Sequence, residues 1–242
     1  MLVSFMQTYG NDRSKLHEIY SRDERMIEFK NMFDLNIHSF HNCSNKTIKN
    51  FKKLNKVKNT EYLVFNDMTY GDTIRELKNK LKEIGCTYLF FSQDDTFSSN
   101  YHTLDFKELL SYIKDNKSKL MINLYHNVDL IDSRFIPSIK LNTFGVYYIT
   151  SEDFAKVGAL SMDDTPFICS VDMLDIIYDD EYCSIDNVWD CEMYLNNKFK
   201  VTDINRYLLS KYVRTFMNYN IIGKTIGKKE TNIQELKAMN LW

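Results

Sequence analysis

The chain is short of the residues that mark linkers, staples and membrane spans. It has 2 prolines and 7 glycines in 242 residues, so no Pro/Gly-rich hinge divides it into separate units. Its five cysteines (Cys43, Cys86, Cys169, Cys183, Cys191) include no CxxC pair and are odd in number. That argues against a disulfide framework or a thiolate zinc site, and for reduced thiols in a cytoplasmic protein. No run reaches the about 18 apolar residues that a membrane span needs, so no membrane crossing is expected. The first residues, Met1 to Met6, are too short for a signal-peptide core and carry no basic leader. Charge is balanced: 31 basic against 33 acidic residues leave a net −2, with no broad basic field to hold nucleic acid. Glycine-rich phosphate loops are absent too, because Gly10, Gly71 and Gly85 stand alone.

What is present is an apolar, aromatic-rich chain, 44% hydrophobic with 16 Tyr and 16 Phe, long enough to bury a sizeable core. Strand-like and helix-like segments alternate. Leu2 to Met6 reads as a buried strand, followed by a helical stretch from about Arg13 to Phe33 with Leu16, Ile19, Tyr20, Ile27 and Phe33 as its apolar positions. Leu35 to His41 alternates as a strand. A helix then starts near Ser44, with Ile48, Phe51 and Leu54 inside and lysines outside. Glu61 to Phe65 is a third strand. Thr69-x-x-Asp72 resembles a capping box for a helix that carries Ile74, Leu77, Leu81 and Ile84 and closes at Gly85. Strand–helix repeats need crossovers and build a mostly parallel sheet covered on both faces, an α/β fold.

The second half is less regular. A helix is expected over 105–113, strands at 120–125, 145–149 and 167–171, and a short helix after Thr150. Ser184 reads as the cap of a helix carrying Val188, Trp189, Met193 and Leu195. The spacing of Ile204, Leu208, Tyr212 and Phe216 predicts one more helix.

The feature with most chemical content is the end of the fourth strand, Cys86-Thr-Tyr-Leu-Phe-Phe-Ser-Gln-Asp94-Asp95. A central strand delivers its last side chains to the carboxyl edge of the sheet, where open α/β folds bind ligands. Two adjacent carboxylates repel each other, and burial makes both harder to ionise. A divalent cation removes that repulsion, and hard oxygen ligands suit Mg²⁺ or Mn²⁺ shared with a phosphate-bearing ligand. Thr8-Tyr9-Gly10 and Asn66-Asp67 are strand ends expected on the same edge.

This order of elements, with its acidic strand end, resembles glycosyltransferases of the GT-A fold, whose fourth strand ends in a metal-binding DxD motif. Here Gln93-Asp94-Asp95 stands in that place, with Gln93 where the family has an acid. The resemblance implies a Rossmann-like domain over 1–242: a nucleotide-sugar-binding half over 1–100, an acceptor-binding half over 101–222 and a tail over 223–242. It implies a nucleotide-diphosphate sugar donor and a carbohydrate or glycoconjugate acceptor. Asp94 and Asp95 would hold Mn²⁺ or Mg²⁺, with Gln93 assisting at the ribose or a metal-bound water. Thr8, Tyr9, Gly10 and Asp67 would meet the base and ribose, and Arg13 the diphosphate.

Single-displacement inversion also needs a carboxylate to take the acceptor's proton. The segment Ser184-Ile-Asp186-Asn-Val-Trp189-Asp190-Cys-Glu192 resembles the acidic helix start of inverting members, with Asp190 as first choice and Asp186 and Glu192 as alternatives. An ordinary helix with an acidic first turn explains the same residues without catalysis. Asp163 and Asp164, and His102 in a polar loop, are candidate acceptor contacts. A non-catalytic binding module and a different Mg²⁺-dependent phosphate-handling enzyme are the competing readings.

Overall fold

The computed structural model describes residues 1–10, 14–94, 96–98, 120–123, 139–140, 146–149, 166–201, 205–209 and 215–217. The first half follows the expected alternation. Strand β1 (Leu2–Tyr9) leads to α1 (Ser14–Arg22) and α2 (Glu24–Lys30), then β2 (Leu35–His41), α3 (Asn45–Leu54), β3 (Thr60–Phe65), α4 (Tyr70–Glu83) and β4 (Tyr88–Gln93). The single helix expected over 13–33 is two. Asp23 is the reason: it leaves helical geometry, and its buried carboxylate accepts the Met26 N–H at 3.4 Å as an N-cap for α2. Ser44 caps α3 by accepting from Thr47 N–H, with Ile48 and Phe51 buried and Lys46, Lys49, Lys52 and Lys53 exposed. Thr69 caps α4 at Asp72 N–H. Gly85 ends it at φ +69°, and the Cys86 N–H reaches back to the Leu81 carbonyl at 2.9 Å.

The chain continues through β5 (Thr96–Ser98), β6 (Leu120–Asn123), β7 (Ile139–Lys140), β8 (Val146–Ile149), β9 (Phe167–Ser170), α5 (Val171–Ile177), a 3-10 turn (Tyr182–Ser184), α6 (Val188–Val201), β10 (Asn205–Leu209) and β11 (Thr215–Met217). Two expectations are corrected here. The spacing through Leu208 and Phe216 does not make a helix: 205–209 lies between β6 and β8, and Thr215–Met217 pairs with β5. Sheet partners contributed by distant segments decide that stretch, and a local 3–4 spacing cannot see them. The cap of α6 is Asn187 and not Ser184, which closes the preceding 3-10 turn. Cys191 and Leu195 point inward from α6, whereas Met193 is exposed. The helices expected over 105–113 and after Thr150 lie outside the described residues.

Among the described residues, nine strands form one sheet in the order β3-β2-β1-β4-β9-β6-β10-β8-β7. Strands β3, β2, β1 and β4 are mutually parallel, and β9 runs against both of its neighbours. The sheet is therefore mixed but mostly parallel, the α/β architecture expected.

The alternation of side chains along the parallel strands sorts them onto two faces. Val3, Phe5, Ile37, Leu89 and Phe91 share one face and pack with Ile74, Leu77 and Leu81 of α4 and Met173, Leu174 and Ile177 of α5. Ser4, Met6, Thr8, Asn36, His38, Phe40, Phe90 and Ser92 share the other, under Ile19 and Tyr20 of α1, Phe29 of α2 and Phe51 of α3. Both faces are covered, so β2 is buried along almost its whole length rather than on one side.

Candidate functional site

The strand order fixes where a ligand can sit. From β1 the chain winds outward through β2 to β3, and α4 then carries it back across to β4 on the other side of β1. The crossovers diverge between β1 and β4. In open α/β sheets the crevice at the carboxyl ends beside such a divergence is the usual binding place. Gln7 of β1 is level with Gln93 of β4, and the Asp94 N–H continues the ladder to the Gln7 carbonyl at 2.9 Å. Asp94 thus stands at that crevice.

Three strands leave this edge through left-handed backbone. Gly10 follows β1 at φ +70°, Asn42 follows β2 at φ 52° and Asp67 ends the turn after β3 at φ 57°. Gly, Asn and Asp are the residues that take this conformation at least cost. Short bonds tie the exits together: Gly10 N–H to His41 carbonyl at 3.0 Å, Asn42 N–H to Phe65 carbonyl at 3.0 Å, and Asp67 N–H to the Asn42 side chain at 3.2 Å. The edge is a row of tight, mutually braced turns.

The side chains there divide by face. Asp94 is 4% exposed and turns toward the α1 side, where its Oδ2 lies 3.6 Å from Nε2 of His17, itself 2% exposed. Gln93 shares the opposite face with Gln7. Thr8 is fully buried, and its hydroxyl is engaged by His38 Nε2 at 2.7 Å. Tyr9 stacks on His41 with ring centroids 4.4 Å apart and tilts against Tyr70 at 5.9 Å. Burial, then Tyr70, and then Cys191 and Tyr178 hold its phenol well above the usual range. A chain of rings leads from there to α6: Tyr70 meets Tyr182 at 6.3 Å, and Tyr182 meets Tyr194 of α6 at 6.2 Å. Asp67 is exposed at the far end of the row.

Asp190 lies in the first turn of α6 and is exposed. Its N–H donates to the Asn187 side chain at 2.9 Å, and its carboxylate accepts from the Asn187 amide. Asp186 is exposed just before the helix, and Glu192 is half-buried two residues on. Arg13, Asp95, His102, Asp163 and Asp164 lie outside the described residues.

Sequence reasoning missed the buried polar layer beneath α1–α3. Lys30 of α2 is 3% exposed. Its ammonium donates to the hydroxyls of Ser4 and Ser92 and stands 4.7 Å over the Phe90 ring. Burial pulls its pKa down to about 7. Burial also lowers His38 well below its ordinary value, helped by His17, Lys30 and His41, and lowers His41 to about 4. A cavity of about 20 Å³, room for one water, lies against Lys30, Asn36, His38 and Asn55. The only signal in sequence was polar residues at alternate positions in two apolar strands, which also fits strands with one wet face. Among the described residues no three His, Cys, Asp or Glu side chains converge as a metal site. None of the five cysteines forms a disulfide and all are buried, and burial raises Cys86 to about 12 and Cys191 to about 11, so neither is a ready nucleophile.

No family model matches the chain, and no curated protein matches it. Solved structures do. TarS 1-349 of S. aureus is 15% identical over 88% of this chain with a TM-score of 0.51, and TarS of S. aureus is 14% identical over 98% with a TM-score of 0.54. The chain spans only 59% and 39% of those two proteins. UTP-bound UGPase from Acinetobacter baumannii is 8% identical, with a TM-score of 0.57 over 98% of this chain and 94% of its own. At such identities the likeness is one of fold: this chain has the Rossmann-like α/β architecture of these proteins.

Proposed function

We propose that the protein is a glycosyltransferase that moves a sugar from a nucleotide-diphosphate donor to an acceptor hydroxyl, assisted by a divalent metal. The observation that carries this is Asp94, a buried carboxylate that β4 delivers to the carboxyl edge beside the β1–β4 divergence. Carboxylate oxygens are hard donors of the kind that divalent cations take. Asp94, with Asp95 next to it, would hold Mn²⁺ or Mg²⁺, which on binding would offset charge on the leaving diphosphate. The braced exits at Gly10, Asn42 and Asp67 offer backbone and short polar groups to a nucleoside. The Tyr9–His41–Tyr70 aromatics give that edge a rigid wall. Fold neighbours that include a UTP-bound UGPase support a nucleotide as ligand.

Asp190 is the candidate base. It is exposed in the first turn of α6, whose Tyr194 is linked through Tyr182 and Tyr70 to Tyr9, and there it would accept the acceptor's proton as oxygen attacks the sugar carbon. Asp186 and Glu192 flank it.

A second reading has one observation in its favour. The likeness to the A. baumannii UGPase spans nearly the whole of both chains. On that reading a sugar phosphate's oxygen attacks the α-phosphorus of a nucleoside triphosphate at the same edge, the bond to the β-phosphate breaks, and pyrophosphate leaves.

One experiment separates the two. Nucleoside diphosphates and nucleotide sugars are screened by thermal shift with and without Mn²⁺, since a ligand of the folded state raises Tm by mass action. The best donor is then tested for release of nucleoside diphosphate, and the matching triphosphate plus sugar phosphate for release of pyrophosphate. A metal-dependent shift with diphosphate release is expected, and Asp95→Asn should abolish it. Pyrophosphate release selects the second reading, and no shift with any nucleotide rejects both.

A further inference from the structure

We propose that His17 is a metal ligand: its Nε2 and the Asp94 carboxylate form a mixed nitrogen–oxygen clamp for a divalent transition-metal ion at the carboxyl end of β4. The inference rests on the reading of Asp94 as a metal-holding carboxylate and adds a residue from a different element, α1, that no strand-end motif contains.

Three observations carry it. The His17 Nε2 and Asp94 Oδ2 atoms face each other at 3.6 Å. That is beyond hydrogen-bond length, yet two ligands each about 2.0–2.2 Å from one ion lie between about 3 and 4.3 Å apart. The 3.6 Å separation is therefore one that two ligands of a single ion can have. Next, neither ring nitrogen of His17 has a hydrogen-bond partner among the described residues, although the ring is 2% exposed. A buried imidazole normally finds one, so this ring keeps its nitrogens available for a ligand that the described residues do not supply. Finally, the ring is held by packing. It meets Phe51 edge-on at 4.7 Å and His38 at 6.5 Å. Both neighbours belong to elements that cover or form the sheet, so the position of Nε2 is fixed before any ion arrives.

The donor pair also selects the ion. Carboxylate oxygen suits Mg²⁺ and Mn²⁺ alike, whereas imidazole nitrogen favours the transition metals. A site with one nitrogen should thus prefer Mn²⁺ or Zn²⁺ to Mg²⁺. Metal-binding imidazoles usually donate from the second ring nitrogen to a carboxylate or carbonyl. Nδ1 of His17 has no such partner among the described residues, so the expected binding is moderate rather than tight.

The test uses the full chain and the metals alone. Calorimetric titration with MnCl₂, ZnCl₂ and MgCl₂ is run on the wild type, His17→Gln and Asp94→Asn. In parallel, histidine side-chain NMR of the unaltered protein follows the five imidazoles as Mn²⁺ is added. We expect about one Mn²⁺ or Zn²⁺ per chain, weaker Mg²⁺ binding, a loss of at least about tenfold in affinity in His17→Gln, and early paramagnetic broadening of the His17 signal. The NMR arm keeps the proposal falsifiable should a variant fail to fold. Metal binding with unchanged affinity in His17→Gln and a sharp His17 signal overturns the clamp but leaves an oxygen-only site at Asp94 standing. No binding of any of the three ions overturns both the clamp and the metal part of the proposed function, whereas nucleotide-sugar binding would still be read from the thermal shift.

Discussion

The two faces of the parallel strands are built from different chemistry, although the same four strands supply both. The α4–α5 face is apolar, from Val3, Phe5 and Ile37 through Leu89 and Phe91 to Phe167. The α1–α3 face buries Ser4, Thr8, Asn36, His38, Ser92 and Asp94, and its helices add Lys30 and His17. Burying hydrocarbon stabilises a fold in proportion to area, whereas burying polar and charged groups at best breaks even. The apolar face holds the domain together. The polar face costs stability and ends at Asp94, a buried carboxylate of the ligand edge. Polar groups retained at such a cost are where function is most economically sought.

That contrast predicts opposite signs for truncations on the two faces. Phe91 is 1% exposed, stacks on Phe167 with centroids 5.0 Å apart and tilts against Phe5 at 5.4 Å. Phe91→Ala should destabilise by about 3–5 kcal/mol through lost transfer energy and the cavity left behind. Urea unfolding measures it, and a loss under 1 kcal/mol would mean that this face is not the main core.

On the other face, Lys30→Met should stabilise. The folded pKa of Lys30 is lowered from 10.5 to about 7, so between those values the unfolded chain binds the proton and the folded chain does not. Stability then rises with pH from about 7 to 10.5 and is insensitive to this group below 7. At pH 7 the methionine variant should gain on the order of a few kcal/mol, less the hydrogen bond that Ser4 forfeits. Unfolding at pH 6, 7, 8 and 9 gives the test: the variant's advantage should be constant from pH 6 to 7 and shrink at 8 and 9. A constant advantage across all four would mean that Lys30 titrates normally.

The two faces also differ in how far they could be read from sequence. The apolar face was legible because α4 declares itself through Thr69, the 3–4–3 spacing of Ile74, Leu77, Leu81 and Ile84, and Gly85. The end of β4 was legible as an acidic strand end on the same edge as Thr8-Tyr9-Gly10, whereas its place directly beside β1 was not. What escaped was pairing between distant segments. His17 meets Asp94 only because α1 packs across the strands that β4 later joins. Nothing in the spacing of residues 17 and 94 encodes that. The strand at 205–209 was misread for the same reason, its partners β6 and β8 lying more than 50 residues earlier. Asp23 was a local signal that went unused: a capping residue inside a helical pattern marks a break.

A third change probes how tightly the apolar face is closed at its rim. Gly71 lies in the first turn of α4, and a Cβ there would stand 2.5 Å from the Cys183 carbonyl oxygen. Alanine is the better helix former by about 1 kcal/mol. The clash is with backbone, which cannot swing aside, and overpacking of this kind costs about 1–3 kcal/mol. The clash should win, so Gly71→Ala is expected to lower Tm. A raised Tm would show that the 3-10 turn yields and that the closure there is loose.

The smallest effect discriminates between the two readings of Asp190. Asn187 caps α6 on the apolar side, and Asn187→Ala should cost about 1 kcal/mol of stability. Asp190→Asn keeps the backbone N–H that the cap accepts and removes only a first-turn charge, so about 0.3–1 kcal/mol is expected. If Asp190 serves the helix alone, turnover should follow stability in both variants, and Asn187→Ala should be the more damaged. If Asp190 is the base, the order reverses: Asp190→Asn should lose turnover by a hundredfold or more at nearly unchanged Tm and donor affinity, because general-base catalysis contributes about 10²–10⁴. Measuring Tm, donor affinity and turnover on these two variants side by side therefore assigns the residue, since a capping role and a catalytic role predict opposite rankings from the same pair.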